Sequence, residues 1–460
     1  MSELFHWEPQ PRAFALVKQL VAEFLSRCSR SRTLAERMHS QTATRFIDWI
    51  DFIRVPETEE MIEQLTSVGF SHHPAPGASQ RYIHTGGVFP AIVLGDGQLM
   101  RIGIKVDWVS DFLAAWGVPN DSPITGEPLT ELRRAVAFRG DNTELVVVER
   151  HGSIGLIEKQ ADPRRSVAAL RHMETFRRRR RDWPNDDQGF THVHALVDAA
   201  IDELSTGGHT GVDFVCDLFF RAERDFWERR NTAARWQKAR QDHLGLGWAN
   251  HDHHTFRCSR AHFTSLIALL EKLGFKCRER FYAGHEAGWG AQVLEQPVTG
   301  FVVFADVDLS PDELAGDFAH TPLSPRAELG TIGLWTALHG ESVLQAGMHH
   351  LECQFDYDAL TTQLQSGGLK VMDPFTNMTY LRQAFTEGER WPVSERRIKR
   401  LLDAGQITSA DADRFRANGA VGSHLENLER NDGYKGFNQK GVSDIINRTD
   451  ARLVTYEALA

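Results

Sequence analysis

Cysteine is scarce in this chain. The five present (Cys28, Cys216, Cys258, Cys277 and Cys353) are scattered, with no CxxC spacing. An odd, unpatterned set excludes a disulfide scaffold or a thiolate zinc site and suits reduced thiols. Long apolar runs are also missing. No stretch approaches the roughly 18 residues that a membrane-spanning helix needs. The first residues, MSELFHWEPQPRAF, mix charges with a proline where a secretory leader would be apolar. A cytoplasmic protein that does not engage membranes is therefore expected. Excess positive charge is lacking: the net charge is −10, which argues against a general binder of nucleic acid or anionic lipid. No GxSxG, HExxH or Walker motif occurs, so the common sequence signatures of nucleophile-elbow hydrolases, zincin proteases and P-loop enzymes are absent.

What the chain does have is histidine, 21 of them in 460 residues. Several cluster: HVH at 192–194, HDHH at 251–254 and MHH at 348–350. Imidazole is the commonest transition-metal ligand, although surface histidines are also common. At this length two domains or paired modules are expected.

Residues 11–40 place Phe14, Val17, Leu20, Val21 and Phe24 at helical spacing. RFIDWIDFIRV then reads as a strand, and PETEEMIEQLTSVGF as a helix from Pro56 to near Gly69. VFPAIVLG, LMRIGIKVDW and ELVVVERHG read as strands. A composition break spans 163–187, where the run Arg177–Arg181 is expected to be a solvated helix face or linker. Residues 190–240 read as helical.

A β-α-β-β pattern then returns. DFIRVPETEEMIEQLTSVGF aligns with HHTFRCSRAHFTSLIALLEKLGF, and IGIKVDWVSD with FVVFADVDLSPD. This pairs Arg54 with Arg257, Phe70 with Phe275 and Asp107 with Asp308, at an offset of about 200 residues, as an internal duplication would. Four residues before the arginine, the second copy has His253 and the first has Ile50. The expected fold is α+β, with duplicated βαβββ modules forming curved mixed sheets around a central site. The expected divisions are an N-terminal helical segment (1–43), a degenerate βαβββ module lacking the histidine (44–160), a helical connector (161–240) and a metal-binding paired-module domain (241–460).

Three segments of the C-terminal half each offer a ligand on an expected strand: His253, His350 and Glu426. Two imidazoles and one carboxylate leave three adjacent coordination positions open, enough for a bidentate substrate and a third small ligand such as O2. His349 is the rival of His350, and Glu429 the neighbour of Glu426.

Residues 245–450 resemble the 2-oxoadipate dioxygenase/decarboxylase (hydroxyglutarate synthase) family of the vicinal oxygen chelate superfamily. The resemblance rests on DHHTFR (Asp252, His253, Arg257), on Trp335 and Thr336 preceding MHHLE, on SHLENLER, and on the loop RNDGYKGFNQKGVSDII. It implies Fe(II), or another divalent metal, on His253, His350 and Glu426. It also implies O2 as co-substrate and a 2-oxo acid substrate met by Arg257, Phe437 and Asn438. The insertion 394–420 departs from the family pattern. Two other readings stay open: another metalloenzyme of the superfamily, either a ring-cleaving dioxygenase or an isomerase, and a metal-free small-molecule binding protein.

Overall fold

The computed structural model describes residues 7–119, 123–158, 162–181, 183–205, 211–285, 287–438 and 450–452. The chain opens with α1 (Pro11–Arg27) and α2 (Ser29–Thr42). Proline occupies the first turn of α1, where its missing N–H costs nothing. One face buries Ala13, Leu16, Val17, Leu20, Val21 and Phe24. The expected single helix is broken at Cys28, whose backbone is extended.

Next come β1 (Ile50–Pro56), α3 (Glu59–Ser67), β2 (Ser71–His72), β3 (Arg81–Ile83) and β4 (Ala91–Gly95). The strand β1 runs through Pro56, and α3 starts later than its sequence implied. Thr58 caps it, accepting from the Met61 amide at 3.1 Å. A second set follows: β5 (Met100–Lys105), α4 (Val109–Ala115), β6 (Leu132–Gly140) and β7 (Thr143–Arg150). Together they form a seven-stranded sheet of order β2-β3-β4-β1-β5-β7-β6. The segment 44–160 thus holds one complete βαβββ module and a second one short by a strand. Its packed face meets α1, α2 and α4 through Ile53, Ile92, Ile102, Ile104, Leu145 and Val147.

Four helices connect the halves: α5 (Pro163–Arg178), α6 (Asp186–Leu204), α7 (Val212–Glu228) and α8 (Thr232–His243). The arginine run at the end of α5 is not simply a solvated face. Arg179 and Arg180 are turned inward, and both pair with Glu223 of α7, because a carboxylate buried there needs cationic partners.

The C-terminal half begins with β8 (His251–Arg257), α9 (Phe263–Lys272), β9 (Lys276–Tyr282), β10 (Trp289–Glu295) and β11 (Val302–Asp308). After α10 (Pro311–Ala315) and α11 (Thr331–His339) come β12 (His350–Gln354), α12 (Tyr357–Ser366), β13 (Thr376–Met378) and β14 (Leu381–Phe385). After β15 (Glu389–Trp391) the insertion supplies α13 (Glu395–Asp403) and α14 (Ser409–Asn418), and β16 (Ala420–Arg430) completes the half. The sheet order is β13-β14-β16-β12-β8-β11-β10-β9, with β15 paired to β16. The result is an α+β architecture of curled mixed sheets with flanking helices. Two βαβββ modules join where β8 and β12 pair antiparallel.

One core lies between the convex face of this sheet and the connecting helices. It packs Phe219, Phe220 and Trp227 of α7 against Phe256, Val303, Leu351 and Leu425. The other face is concave and carries the polar cluster described below.

The duplication takes a different register from the one its sequence implied. β1 pairs parallel with β4 and antiparallel with β5, as β8 pairs parallel with β11 and antiparallel with β12. The counterpart of β11 is therefore β4. The strand IGIK, which resembles FVVFADVD in composition, instead stands where β12 does. Buried strands share an apolar alphabet, and composition alone does not distinguish a fourth strand from the first strand of the next module. In the parallel ladders the first pairs are Phe52 with Ala91 and His253 with Val302. Phe52, rather than Ile50, thus occupies the place of His253.

Candidate metal centre

Alternation along a strand turns residues 253, 255 and 257 of β8 to one face, with 350 and 352 of β12 and 424 and 426 of β16. Register sets them in rows. Glu352 lies opposite His253 across the antiparallel pair and opposite Glu426 across the parallel pair. One row is therefore His253–Glu352–Glu426, and the next is Thr255–His350–His424.

The ligand atoms of His253, Glu352 and Glu426 lie within 4.8 Å of one another, and all three residues are buried. His350 joins through Glu352: its Nε2 is 2.6 Å from Glu352 Oε1, and His253 Nε2 is 2.7 Å from the same oxygen. Glu426 Oε1 accepts from Gln383 Nε2 at 2.7 Å. The structure thus brings together His253, His350 and Glu426, with Glu352 between them. Glu352 went unnoticed in the sequence, although HLE places it two residues after His350, on the same face of any strand that turns His350 inward.

His349 lines the same cavity, but its Nδ1 is engaged with the Gly422 carbonyl at 2.9 Å. Glu429 faces the other way. It accepts from the Tyr357 amide at 2.8 Å at the start of α12 and from Asn431 at 2.9 Å.

The imidazole of His253 is oriented from behind. Its Nδ1 is 2.8 Å from Asp252 Oδ1. Asp252 is held by Arg430 at 2.8 and 3.0 Å and by Gln354 at 3.0 Å. Donation from Nδ1 to a carboxylate fixes the ring with Nε2 directed inward, the orientation that histidine ligands require. Arg430 also donates to the carbonyls of Gly436 at 2.7 Å and Tyr434 at 3.2 Å. That anchors the loop carrying Phe437, whose ring meets His253 edge-on at 4.9 Å. Asn438 lies beside it, bound to Thr376 Oγ1 at 2.8 Å. The rest of the loop RNDGYKGFNQKGVSDII, from residue 439 on, lies outside the described residues.

Burial raises the Glu426 carboxyl well above the ordinary carboxylate range, and the adjacent Glu352 charge adds to this. Burial also opposes ionisation of Glu352, but the imidazoles of His253 and His350 hold it low. His253 is raised despite burial by Glu352 and Asp252. The two neighbouring carboxyls are thus pushed apart in acidity, Glu426 up and Glu352 down, and a cation between them would relieve the pair.

A small cavity lies above the cluster, lined by Arg257, Phe281, Trp289, Phe304, Phe385 and Phe437. Several buried polar atoms on it have no partner among the described residues: Glu352 Oε2, His350 Nδ1, His424 Nε2, Gln383 Oε1, Asp306 Oδ1 and Arg257 Nε. Orphaned buried polar atoms are costly, and several around one cavity mark it as a ligand site. The donor set is borderline-hard N and O, which fits Fe(II) or a similar divalent ion.

Arg257 sits two rows from the cluster. It was expected to meet a substrate anion or Glu426. Its nearest carboxylate is Asp306, 4.0 Å away, because the parallel register places those two side by side. Burial lowers the guanidinium to about 10 and raises Asp306 well above the usual carboxylate range.

The N-terminal sheet has no such cluster among the described residues. Its corresponding row is Phe52–Gly103–Val146. His192 and His194 lie on α6, in contact with Trp183 and the Ser265 carbonyl. No helix among the described residues is long and apolar enough to cross a membrane.

No family model matches the chain, and no curated protein does. Among solved structures, methylmalonyl-CoA epimerase from Mycobacterium tuberculosis matches at 16% identity, covering 40% of this chain and 88% of its own, with a TM-score of 0.22. A glyoxalase-superfamily protein from Ralstonia eutropha JMP134 matches at 12%, covering 59% and 97%, with a TM-score of 0.31. A mutant of 4-hydroxymandelate synthase from Streptomyces coelicolor matches at 12%, covering 90% and 98%, with a TM-score of 0.26. Scores this low transfer no activity to this chain.

Proposed function

We propose that this protein is a metalloenzyme of the vicinal oxygen chelate type, an Fe(II)-dependent dioxygenase/decarboxylase acting on a small 2-oxo acid. The observation that carries the reading is the convergence of two imidazoles and two carboxylates at the base of one buried cavity. A guanidinium on its wall supports it. His253 and His350 would hold the metal with Glu352, Glu426 or both.

When bound there, Fe(II) supplies Lewis acidity toward a chelating 2-oxo acid and one-electron chemistry toward O2. Arg257 binds a substrate carboxylate through its planar fork. Phe304, Phe385 and Phe437 line the cavity with apolar surface and exclude water, which strengthens the polar contacts inside. Glu426, raised well above the ordinary carboxylate range by burial and by Glu352, would give up a proton on taking a cation. Gln383, whose Nε2 donates to Glu426, turns its unpartnered Oε1 to the cavity as an acceptor for a substrate hydroxyl, and Asn438 lies on the cavity wall beside Phe437. In the net reaction, one O2 is consumed and one CO2 released as the acid becomes a hydroxylated acid one carbon shorter.

The test is anaerobic loading with Fe(II), followed by O2 uptake and CO2 release over a panel of 2-oxo acids. One-to-one stoichiometry that depends on Fe(II) supports the proposal. Turnover without O2 uptake would instead favour an isomerase, a reading to which the tight set of one imidazole and two carboxylates also lends itself. No metal above background after reconstitution would leave a binding protein. The same reading places the enzyme in the cytoplasm with no nucleic-acid or membrane partner.

A further inference from the structure

The concave face of the N-terminal sheet lost its polar row, yet it is not filled. It borders a cavity of about 280 Å³, bounded on the other side by α7 and by residues 297–301. The floor is apolar, with Phe52, Ala91, Val93 and Val148, and Trp248 and Phe301 stand across from it. Five cations line the walls: Arg81, Lys105, Arg150, Arg221 and Arg224. Only three carboxylates face them, Asp51, Asp107 and Asp217, and each is already engaged. Asp51 is gripped by Arg150 at 2.7 Å. Asp217 takes Arg221 at 3.0 Å and His151 at 2.7 Å. Asp107 accepts from the Trp248 amide at 2.8 Å.

The remaining cations are under-matched. Arg224 is only 6% exposed, and no carboxylate pairs with it among the described residues. Its Nη1 is 3.4 Å from His254 Nε2, and its guanidinium carbon lies 5.1 Å from the Phe301 ring. Arg81 has the His73 carbonyl at 3.3 Å, and Lys105 is 3.9 Å from Asp51. A buried guanidinium without a counter-ion is costly. A bound anion would relieve it, and the aromatic and aliphatic floor would hold an apolar body.

We propose that this cavity is a second ligand site, separate from the metal cluster, which binds a small organic carboxylate carrying an apolar chain. The duplicated module has exchanged a metal row for an anion cradle.

The test is calorimetric titration of the chelator-treated full chain with hexanoate, glutarate and inorganic phosphate. Saturable binding of hexanoate or glutarate is expected. It should persist in Arg257→Gln, which removes the cation of the other cavity. It should weaken roughly tenfold or more in Arg224→Gln and in Arg81→Gln, since each removes a charge-assisted contact. Arg81 is half-buried and Arg224 fully buried, so Arg81→Gln decides the matter should Arg224→Gln fail to fold. The proposal is overturned by absence of saturable binding below about 10 mM, or by binding that is lost in Arg257→Gln and kept in both other variants. Phosphate binding as tightly as hexanoate would overturn the assignment to an organic carboxylate.

Discussion

Glu352 and His253 are directly opposed on antiparallel strands, and Glu352 Oε1 lies 2.7 Å from His253 Nε2. The same oxygen is 2.6 Å from His350 Nε2, so this one carboxylate ties both histidines together. Glu352→Gln should therefore weaken Fe(II) binding by at least ~100-fold, more than the loss of an outer partner produces. His253→Ala should do the same. Chelator competition measures both. Full metal stoichiometry with unchanged affinity in Glu352→Gln would remove Glu352 from the centre.

Asp252 orients the imidazole of His253, with its Oδ1 2.8 Å from Nδ1. Asp252→Asn should lower metal affinity about 10–100-fold, because the imidazole loses its orienting carboxylate. It should also destabilise the protein by roughly 3–5 kcal/mol, because Arg430 is left buried without a counter-charge. Urea unfolding gives the second quantity and metal titration the first. A variant with lost stability but native affinity would confine Asp252 to a structural part.

Arg257→Lys should keep the metal and raise KM for the active 2-oxo acid by roughly tenfold, since an ammonium cannot replace the bidentate fork. Unchanged KM would make Arg257 a partner of Asp306 alone. Loss of metal would tie it to the cluster.

In the N-terminal sheet, a Cβ on Gly103 would lie 2.3 Å from the Phe52 ring. Phe52 is buried, and the added methyl would push its ring toward the cavity it lines. Gly103→Ala should cost ~1–3 kcal/mol by overpacking. Adding Phe52→Leu should recover part of that loss, a non-additivity that thermal unfolding of the single and double variants would detect. Simple additivity would mean that the two positions do not touch.

His151 is wholly buried, with Asp217 at 2.7 Å and Glu149 at 3.1 Å. Burial lowers its pKa, but the two carboxylates outweigh this, and the net shift is upward from 6.5. A raised folded-state pKa contributes stability in full below the unfolded value, and that contribution fades as pH rises through the folded value. The stability gap between the wild type and His151→Gln should therefore be widest below pH 6.5 and shrink in alkaline buffer. Urea midpoints across that range provide the test. A gap that widens with pH would show that His151 is neutral in the fold.

The residues around the centre differ in how far the chain discloses them. His253, Arg257, His350 and Glu426 stand in strand-like segments with a recognisable pattern, and the structure places all four on one concave face. The β-α-β-β recurrence was visible because helix amphipathicity and strand boundaries are local properties. The strands β2, β3, β6 and β9 were not visible. Two- and three-residue strands carry no periodicity, and charged strands such as KCRERFY mimic loops. The partners Glu352, Asp306 and Gln383 also escaped notice. A carboxylate or amide becomes functional only through what stands beside it on the next strand.

The sequence by itself displayed the candidate ligand side chains, the module recurrence and the scattered cysteines, because these follow from composition and short-range periodicity. Only the tertiary structure decided which carboxylate lies between the histidines, which strand corresponds to which in the two halves, and that Phe52 stands in the row where the C-terminal sheet has His253. Register is the physical reason. A strand slipped by one residue turns every side chain to the opposite face, and the pairing partner that fixes the register can be separated by a hundred residues of chain, as Glu352 is from His253.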